Sequence, residues 1–202
     1  MRTLVIDAAT AACSVAVIEG GRVIGAIHEI VLRGHAERLV PMIGELPGGG
    51  RAGAVLVDCG PGSFTGVRVG LAAAIGLGIG WGVPVNGYTS TALIAAAAFA
   101  DHPGWSTLAV VIEGGHGELF VQPYDRPLAA HGALVSLKPE AVSSMLDGRP
   151  AVGSGARFLP DGVATHALPD AARAVLLPDA ARSLPARPIY GRSPDARPQV
   201  AV

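Results

Sequence analysis

The chain has 202 residues, enough for one large domain or two small ones, and half of them are hydrophobic while 15% are charged. That balance excludes a disordered chain. A net charge of −1 with no Lys/Arg cluster excludes a protein that grips a nucleic-acid backbone by itself, and a single lysine, Lys138, excludes the Gly-Lys-Ser/Thr phosphate loop.

The first elements read as three strands. Leu4–Asp7 is a short apolar run ending in an acid, too short for a signal peptide. Cys13–Ile18 and Arg22–Glu29 flank Gly20-Gly21, the sign of a hairpin. His35–Leu46 follows with Leu39, Met42, Ile43 and Leu46 at helical spacing. Pro41 lies inside that run, so the helix is either kinked or begins only a turn earlier.

Next come a strand at Ala54–Cys59, a Gly/Pro loop, a small-residue helix from about Thr65 to Trp81 and a strand at Val83–Asn86. Ser90 is placed to cap a helix reaching Ala100. The uncharged stretch Val69–Val85 has the minimum length of a membrane span, but its five glycines and Pro84 fit a buried helix and strand better. Three strands followed by alternating helices and strands predict a mixed sheet covered by helices.

Asp101–Gly104 marks a boundary, after which the opening repeats loosely. Leu108–Ile112 ends in Glu113 as Leu4–Ile6 ends in Asp7, and strands at Glu118–Gln122 and around Ala130–Ser136 follow. A helix is expected from Pro139 to Asp147, then a strand at Ala151–Val152 and a Gly153–Gly155 turn. The predicted organisation is a first domain 1–102, a shorter second domain 103–184 and a Pro-rich extended tail 185–202 anchored at Ile189 and Tyr190.

Candidate chemistry is sparse. Cys13 and Cys59 show no CxxC pattern and read as core thiols of a reducing compartment. No two of the six histidines are three or four residues apart, so no helical metal-binding pair can be assembled, and all six read as surface or capping groups. The strand-end acids Asp7, Asp58 and Glu113 are candidates for a cleft, or else they simply meet solvent and helix N-termini. Asp58–Gly70 joins a strand to a helix, and its loop either holds an anion or is a tight turn capped by Ser63 or Thr65. Gly66, Gly70, Ala74 and Gly78 recur every fourth residue and form a smooth stripe, for packing on the chain's own sheet or on a partner helix.

The run GPGSFTGVRVG, Gly60 to Gly70, resembles the signature of the TsaB (YeaZ) family, partners of TsaD in bacterial synthesis of threonylcarbamoyladenosine in tRNA. Leu4–Thr10 resembles that family's opening strand and Asp-x-x-Thr turn, Arg33–Pro41 its Arg-x-His-Ser-Glu-x-Leu-x-Pro segment, and Val85–Leu93 its second strand-to-helix junction. Beyond residue 100 the likeness thins to Glu113–Gln122, Gly153–Ala156 and Pro188–Arg197.

The resemblance implies a duplicated actin-like α/β fold, that of sugar kinases, Hsp70 and actin, with two domains each built on a mixed β-sheet flanked by helices. It implies a cytoplasmic, non-catalytic dimerisation subunit with no cofactor and at most weak nucleotide binding, for which Asp7, Thr10, Asp58 and Glu113 are the cleft candidates. Active relatives wrap phosphate with a hairpin carrying Gly where this chain has Ala9. The implied partners are a TsaD-like transferase, a TsaE-like ATPase reached through the complex, a second copy when alone, and tRNA indirectly. The implied interface is His35, Leu39, Met42 and Ile43 with the stripe Gly66, Gly70, Ala74 and Gly78, beside a signature loop of Gly60, Pro61, Gly62, Ser63, Phe64, Thr65 and Gly66. Alternatives are a nucleotide-dependent kinase or ATPase of that fold and an M22-type metallopeptidase.

Overall fold

The structure, a computed structural model, describes residues 1–192. Strands β1 (Arg2–Asp7), β2 (Ala12–Glu19) and β3 (Arg22–Ile30) form an antiparallel meander. Gly20 and Gly21 turn β2 into β3 with φ of 57° and 77°, values that glycine adopts without a Cβ clash. Helix α1 (His35–Glu45) leads to β4 (Ala54–Asp58), helix α2 (Phe64–Trp81) to β5 (Val85–Tyr88), and helix α3 (Ser90–Asp101) closes the first half. Strand β4 runs parallel to β1, and β5 parallel to β4.

The second half repeats this plan in reduced form. Strands β6 (Thr107–Gly115) and β7 (Glu118–Asp125) form the hairpin. The third strand of the meander, expected as one element, is split into β8 (Ala129–Ala130) and β9 (Val135–Leu137), both paired with β7. After α4 (Pro139–Leu146), short β10 (Ala151–Val152) and β11 (Ala164–Thr165) add in parallel beside β6. Both sheets therefore carry two parallel strands on one side of the first strand of an antiparallel meander, as a duplicated actin-like fold requires.

Strand alternation distributes three apolar layers. Leu4 and Ile6 of β1 face α1 and α2, packing with Leu39, Met42, Val57 and Leu71. Val5, on the opposite face, joins Leu93 and Phe99 of α3 and Leu108, Val110 and Ile112 of β6. Ala109 and Val111 turn the other way, toward Val142 and Leu146 of α4. The middle layer belongs to both sheets at once, so the two halves share a core instead of meeting across a free hinge.

The chain then returns to the first sheet earlier than expected. The turn of helix Ala171–Leu176 packs on β2 and α3, with the Ala171 N–H donating to Ser14 Oγ at 2.9 Å. Strand β12 (Leu184–Pro185) pairs with β5. Residues 171–184, assigned by sequence to the second domain, thus build on the first, and the tail's start at 185 falls inside a strand. Residues 193–202 of the expected tail lie outside the described residues.

Helix boundaries are corrected in two places. Helix α1 runs from His35 through Pro41, which sits on its exposed side mid-helix. Thr89, not Ser90, caps α3, its side chain accepting from the Ala92 N–H at 3.1 Å.

The expected partner stripe lies inside the molecule. Gly66, Gly70, Ala74 and Gly78 are the buried side of α2. A Cβ on Gly66 would stand 2.0 Å from Ala8 O, and one on Gly78 2.3 Å from Val85 Cγ2. His35, Leu39, Met42 and Ile43 are likewise buried in the chain's own core. The periodicity was real, but it serves the sheet. Five glycines cost α2 up to about 1 kcal/mol each, and this close packing offsets the inward ones. Gly66→Ala is expected to destabilise the chain by about 1–3 kcal/mol through overpacking against backbone. Gly76→Ala meets open space and is expected to stabilise it by up to about 1 kcal/mol. Equilibrium denaturation of the two variants checks both signs.

Candidate functional site

The turn after β1 and the turn after β6 face one another across a cleft of about 1050 Å³. Thr10, Arg33, Ser63, Phe64 and Arg68 line it from the first half, Glu113, His116, Ser154 and Arg157 from the second, and the returning segment Ile189–Arg192 completes the lining. Of the sequence candidates, Thr10 and Glu113 reach this cleft. Glu113 is engaged there by the Arg157 guanidinium, and its N–H donates to Ser154 Oγ at 3.1 Å.

Asp7 and Asp58 do not reach it. Their exposures are 0% and 1%, so these strand-end acids meet neither solvent nor ligand. Asp7 Oδ2 accepts from the Tyr88 hydroxyl at 2.8 Å, and Asp58 accepts from the Ser90 hydroxyl at 2.6 Å and the Gly60 N–H at 2.7 Å. Burial pushes both carboxyls up from the ordinary aspartate range, and the neighbouring Asp7 charge pushes Asp58 further. Sequence reading missed Tyr88 and misplaced Ser90. The available signal was Thr89, a capping residue that left Ser90 spare.

The signature loop is a structural joint. Ser63 N–H donates to Ala9 O at 2.7 Å, and Ser63 Oγ accepts from the Gly66 N–H at 3.2 Å, capping α2. A Cβ on Gly62 would stand 2.1 Å from Ala9 O. The N–H of the cap residue Ser63 is thus spent on a hairpin carbonyl, and the Gly66 N–H on the Ser63 side chain. Of the two readings of this loop, the capped turn is the one built.

At the mouth, the Arg68 guanidinium lies 3.3 Å from the Phe64 ring centroid and donates to the Tyr190 hydroxyl, while Phe64 and Tyr190 stack at 6.2 Å. Ile189 N–H donates to Cys59 O at 2.7 Å, which bears out the anchor expected at Ile189 and Tyr190. Tyr190 is 122 residues from Arg68, so no local pattern could announce the cluster.

The cysteines are free and buried, and burial pushes each thiol up to about 11, as core thiols. His35 corrects the surface reading of the histidines, being buried with Nε2 3.2 Å from Ala12 O. Among the described residues no three His, Cys, Asp or Glu side chains converge as a metal site.

Comparison with known proteins agrees with this geometry. The family model of TsaD, tRNA N6-adenosine threonylcarbamoyltransferase, matches residues 20–142. The tRNA threonylcarbamoyladenosine biosynthesis protein TsaB of Escherichia coli is 36% identical over 176 residues, spanning 80% of this chain and 74% of that one. A tRNA N6-adenosine threonylcarbamoyltransferase of Anaeromyxobacter dehalogenans is 33% identical over 115 residues, 54% of this chain and 32% of its own. The structure of YeaZ from Pseudomonas aeruginosa superposes with a TM-score of 0.78 at 27% identity, covering 94% of this chain and 99% of that one. With its signature loop, its duplicated sheets and these relatives, the chain belongs to the TsaB (YeaZ) family of tRNA threonylcarbamoyladenosine biosynthesis proteins.

Proposed function

We propose that this chain is a non-catalytic subunit that supports a TsaD-like transferase, and that it does so through the outward face of α1 and α2. The observation that carries this is an exposed apolar surface with no charge on α2 from Val69 to Trp81. Ile75 is 42% exposed, Ile79 78% and, on α1, Val40 61%. Gly76 and Gly80 on α2 and Gly44 on α1 leave open space in which another helix can lie close. Such a face is costly to leave in water.

By length and composition α2 could cross a membrane, but its buried side fits the sheet and its glycines suit a close helix–helix contact. The TsaD family match spans α1 and α2, so a transferase of that family carries counterpart helices and can offer a like face in return. A second copy of this chain can do the same when the transferase is absent. A TsaE-like ATPase and tRNA then join through the complex.

The cleft supports the non-catalytic reading. Asp7 and Asp58 are buried beneath it and cannot reach a ligand there, and it holds no cofactor in this reading. The rival kinase or ATPase reading needs backbone N–H groups turned to a phosphate, whereas the Ala9 N–H is spent on Asp7 Oδ1 and the Ser63 N–H on Ala9 O.

Ile79→Asp is expected to leave the circular dichroism spectrum unchanged and weaken co-elution with a TsaD-like protein at least about tenfold. Ala74→Trp is expected to unfold the chain, because Ala74 is fully buried. Normal association of folded Ile79→Asp would refute the assignment.

Ala9→Gly tests the cleft. Although glycine restores the residue found in phosphate-binding hairpins, the Ser63 N–H stays spent on the carbonyl of residue 9 and cannot turn to a phosphate, so calorimetry with ATP and Mg²⁺ is expected to show no sub-micromolar site. Tight binding by this variant would mean that the missing glycine alone had silenced the cleft.

A further inference from the structure

Asp7 and Asp58 each follow the paired residues Ile6 and Val57 on the parallel strands β1 and β4, so the two buried carboxyls stand side by side on one face of the sheet. The donors around them are few. Asp7 receives the Tyr88 hydroxyl on Oδ2 and the Ala9 N–H at 3.4 Å on Oδ1. Asp58 receives the Gly60 N–H on Oδ1. Ser90 Oγ is 2.6 Å from Asp58 Oδ2 and also 3.0 Å from Pro61 O, and its single hydrogen can serve one of them at a time. Pro61 O can accept and never donate. Among the described residues none of these donors bridges the two carboxyls, so two neighbouring buried charges would face one another unless the pair keeps a proton of its own.

The surrounding groups supply no compensating cation in contact. Tyr88 on β5 and the buried thiols Cys59 and Cys13 add no positive charge. His28 on β3 acts on Asp7 through space. The face of α2 over β4 is Val67, Gly70 and Leu71.

We propose that the pair holds one proton, carried by Asp58, and that this neutral acid is a lock: it donates to Asp7 while its other contacts hold Gly60 and Ser90, tying the signature loop to the first hairpin. Desolvation opposes a second negative charge in this dry site, in keeping with the upward direction found for both carboxyls. The lock lies beneath the cleft and is independent of what binds the outer face of α1 and α2.

The sign of the pH dependence follows. In the unfolded chain Asp58 ionises in the ordinary aspartate range, whereas in the folded chain it keeps its proton to higher pH. The folded state then binds the extra proton, so stability is greatest at low pH and falls as pH rises, until the folded-state acid itself ionises.

Asp58→Asn places an N–H₂ donor where the acid proton lay and removes the titration. Denaturation of the full chain between about pH 5 and about pH 8 is expected to show the folding constant of the natural chain falling relative to Asp58→Asn by up to about tenfold per pH unit. Parallel profiles would overturn the proposal. A second measurement needs no variant. With ¹³C-carboxyl-labelled aspartate, one aspartate resonance of the folded natural chain is expected to keep its protonated shift at neutral pH, and ordinary titration of every aspartate would equally overturn it.

Discussion

Everything at the centre of this molecule depends on one backbone contact. The carbonyls of Ala8 and Ala9 occupy the space that side chains on Gly66 and Gly62 would fill, and Ser63 N–H closes the joint at 2.7 Å. The turn after β1 packs its backbone against the start of α2. Two consequences come from the same geometry. The Ser63 and Gly66 N–H groups at the start of α2 are spent within the chain, and the signature loop is tied to Asp58 through the Gly60 N–H. A loop so rich in glycine is thus the means of a tight fit, not a sign of looseness.

The shared middle layer adds a second constraint. Leu93 and Phe99 of α3 pack at once with Val5 of the first sheet and Leu108 and Val110 of the second. Parting the halves would expose the apolar interior, at about 25 cal/mol for each Å² uncovered. The segment that returns from Ala171 to Arg192 ties the halves further, with Ser14 bonded to Ala171 and Arg192 paired with Glu118. The cleft that results is a fixed groove.

How much the sequence disclosed follows from the range of each signal. The apolar runs Leu4–Asp7 and Leu108–Ile112, each ending at an acid, and the Gly20-Gly21 turn are local signals and were legible, and the loose repeat they form pointed to the duplicated plan. The stripe Gly66/Gly70/Ala74/Gly78 was equally legible as a period, but a period says which residues share a face and not what that face meets. The sheet won it because a Cβ at Gly78 would collide with Val85, a residue of the very next strand. Asp7 and Asp58 were readable as strand-end acids. Their burial was not, since it depends on Tyr88 and Ser90 arriving from β5 and α3. The return of residues 171–184 to the first sheet left no periodic mark, being built from short turns and a two-residue strand.

The inward fate of the small residues sharpens the case for the outward ones. A helix that had to bury its glycines against its own sheet would ordinarily turn polar side chains to water. Helix α2 instead exposes Ile75 and Ile79 beside Gly76 and Gly80, so it is apolar nearly all round while one side lacks cover. Solubility alone would favour Lys or Glu at such positions, and both would also raise helix propensity over glycine. Their absence on α2, in a chain of 31 charged side chains of which α2 carries Arg68 alone, is in keeping with the proposed partner, which needs short side chains and a dry contact. Adjacent α1 sets the limits of that contact, for Arg38 is clamped between Glu29 and Glu45 at 2.6 and 2.7 Å and marks a charged rim beside Val40. An apolar centre with a charged edge is the anatomy of a protein interface, and it lies on the side of the first sheet away from the shared core, where a partner can seat without disturbing the cleft.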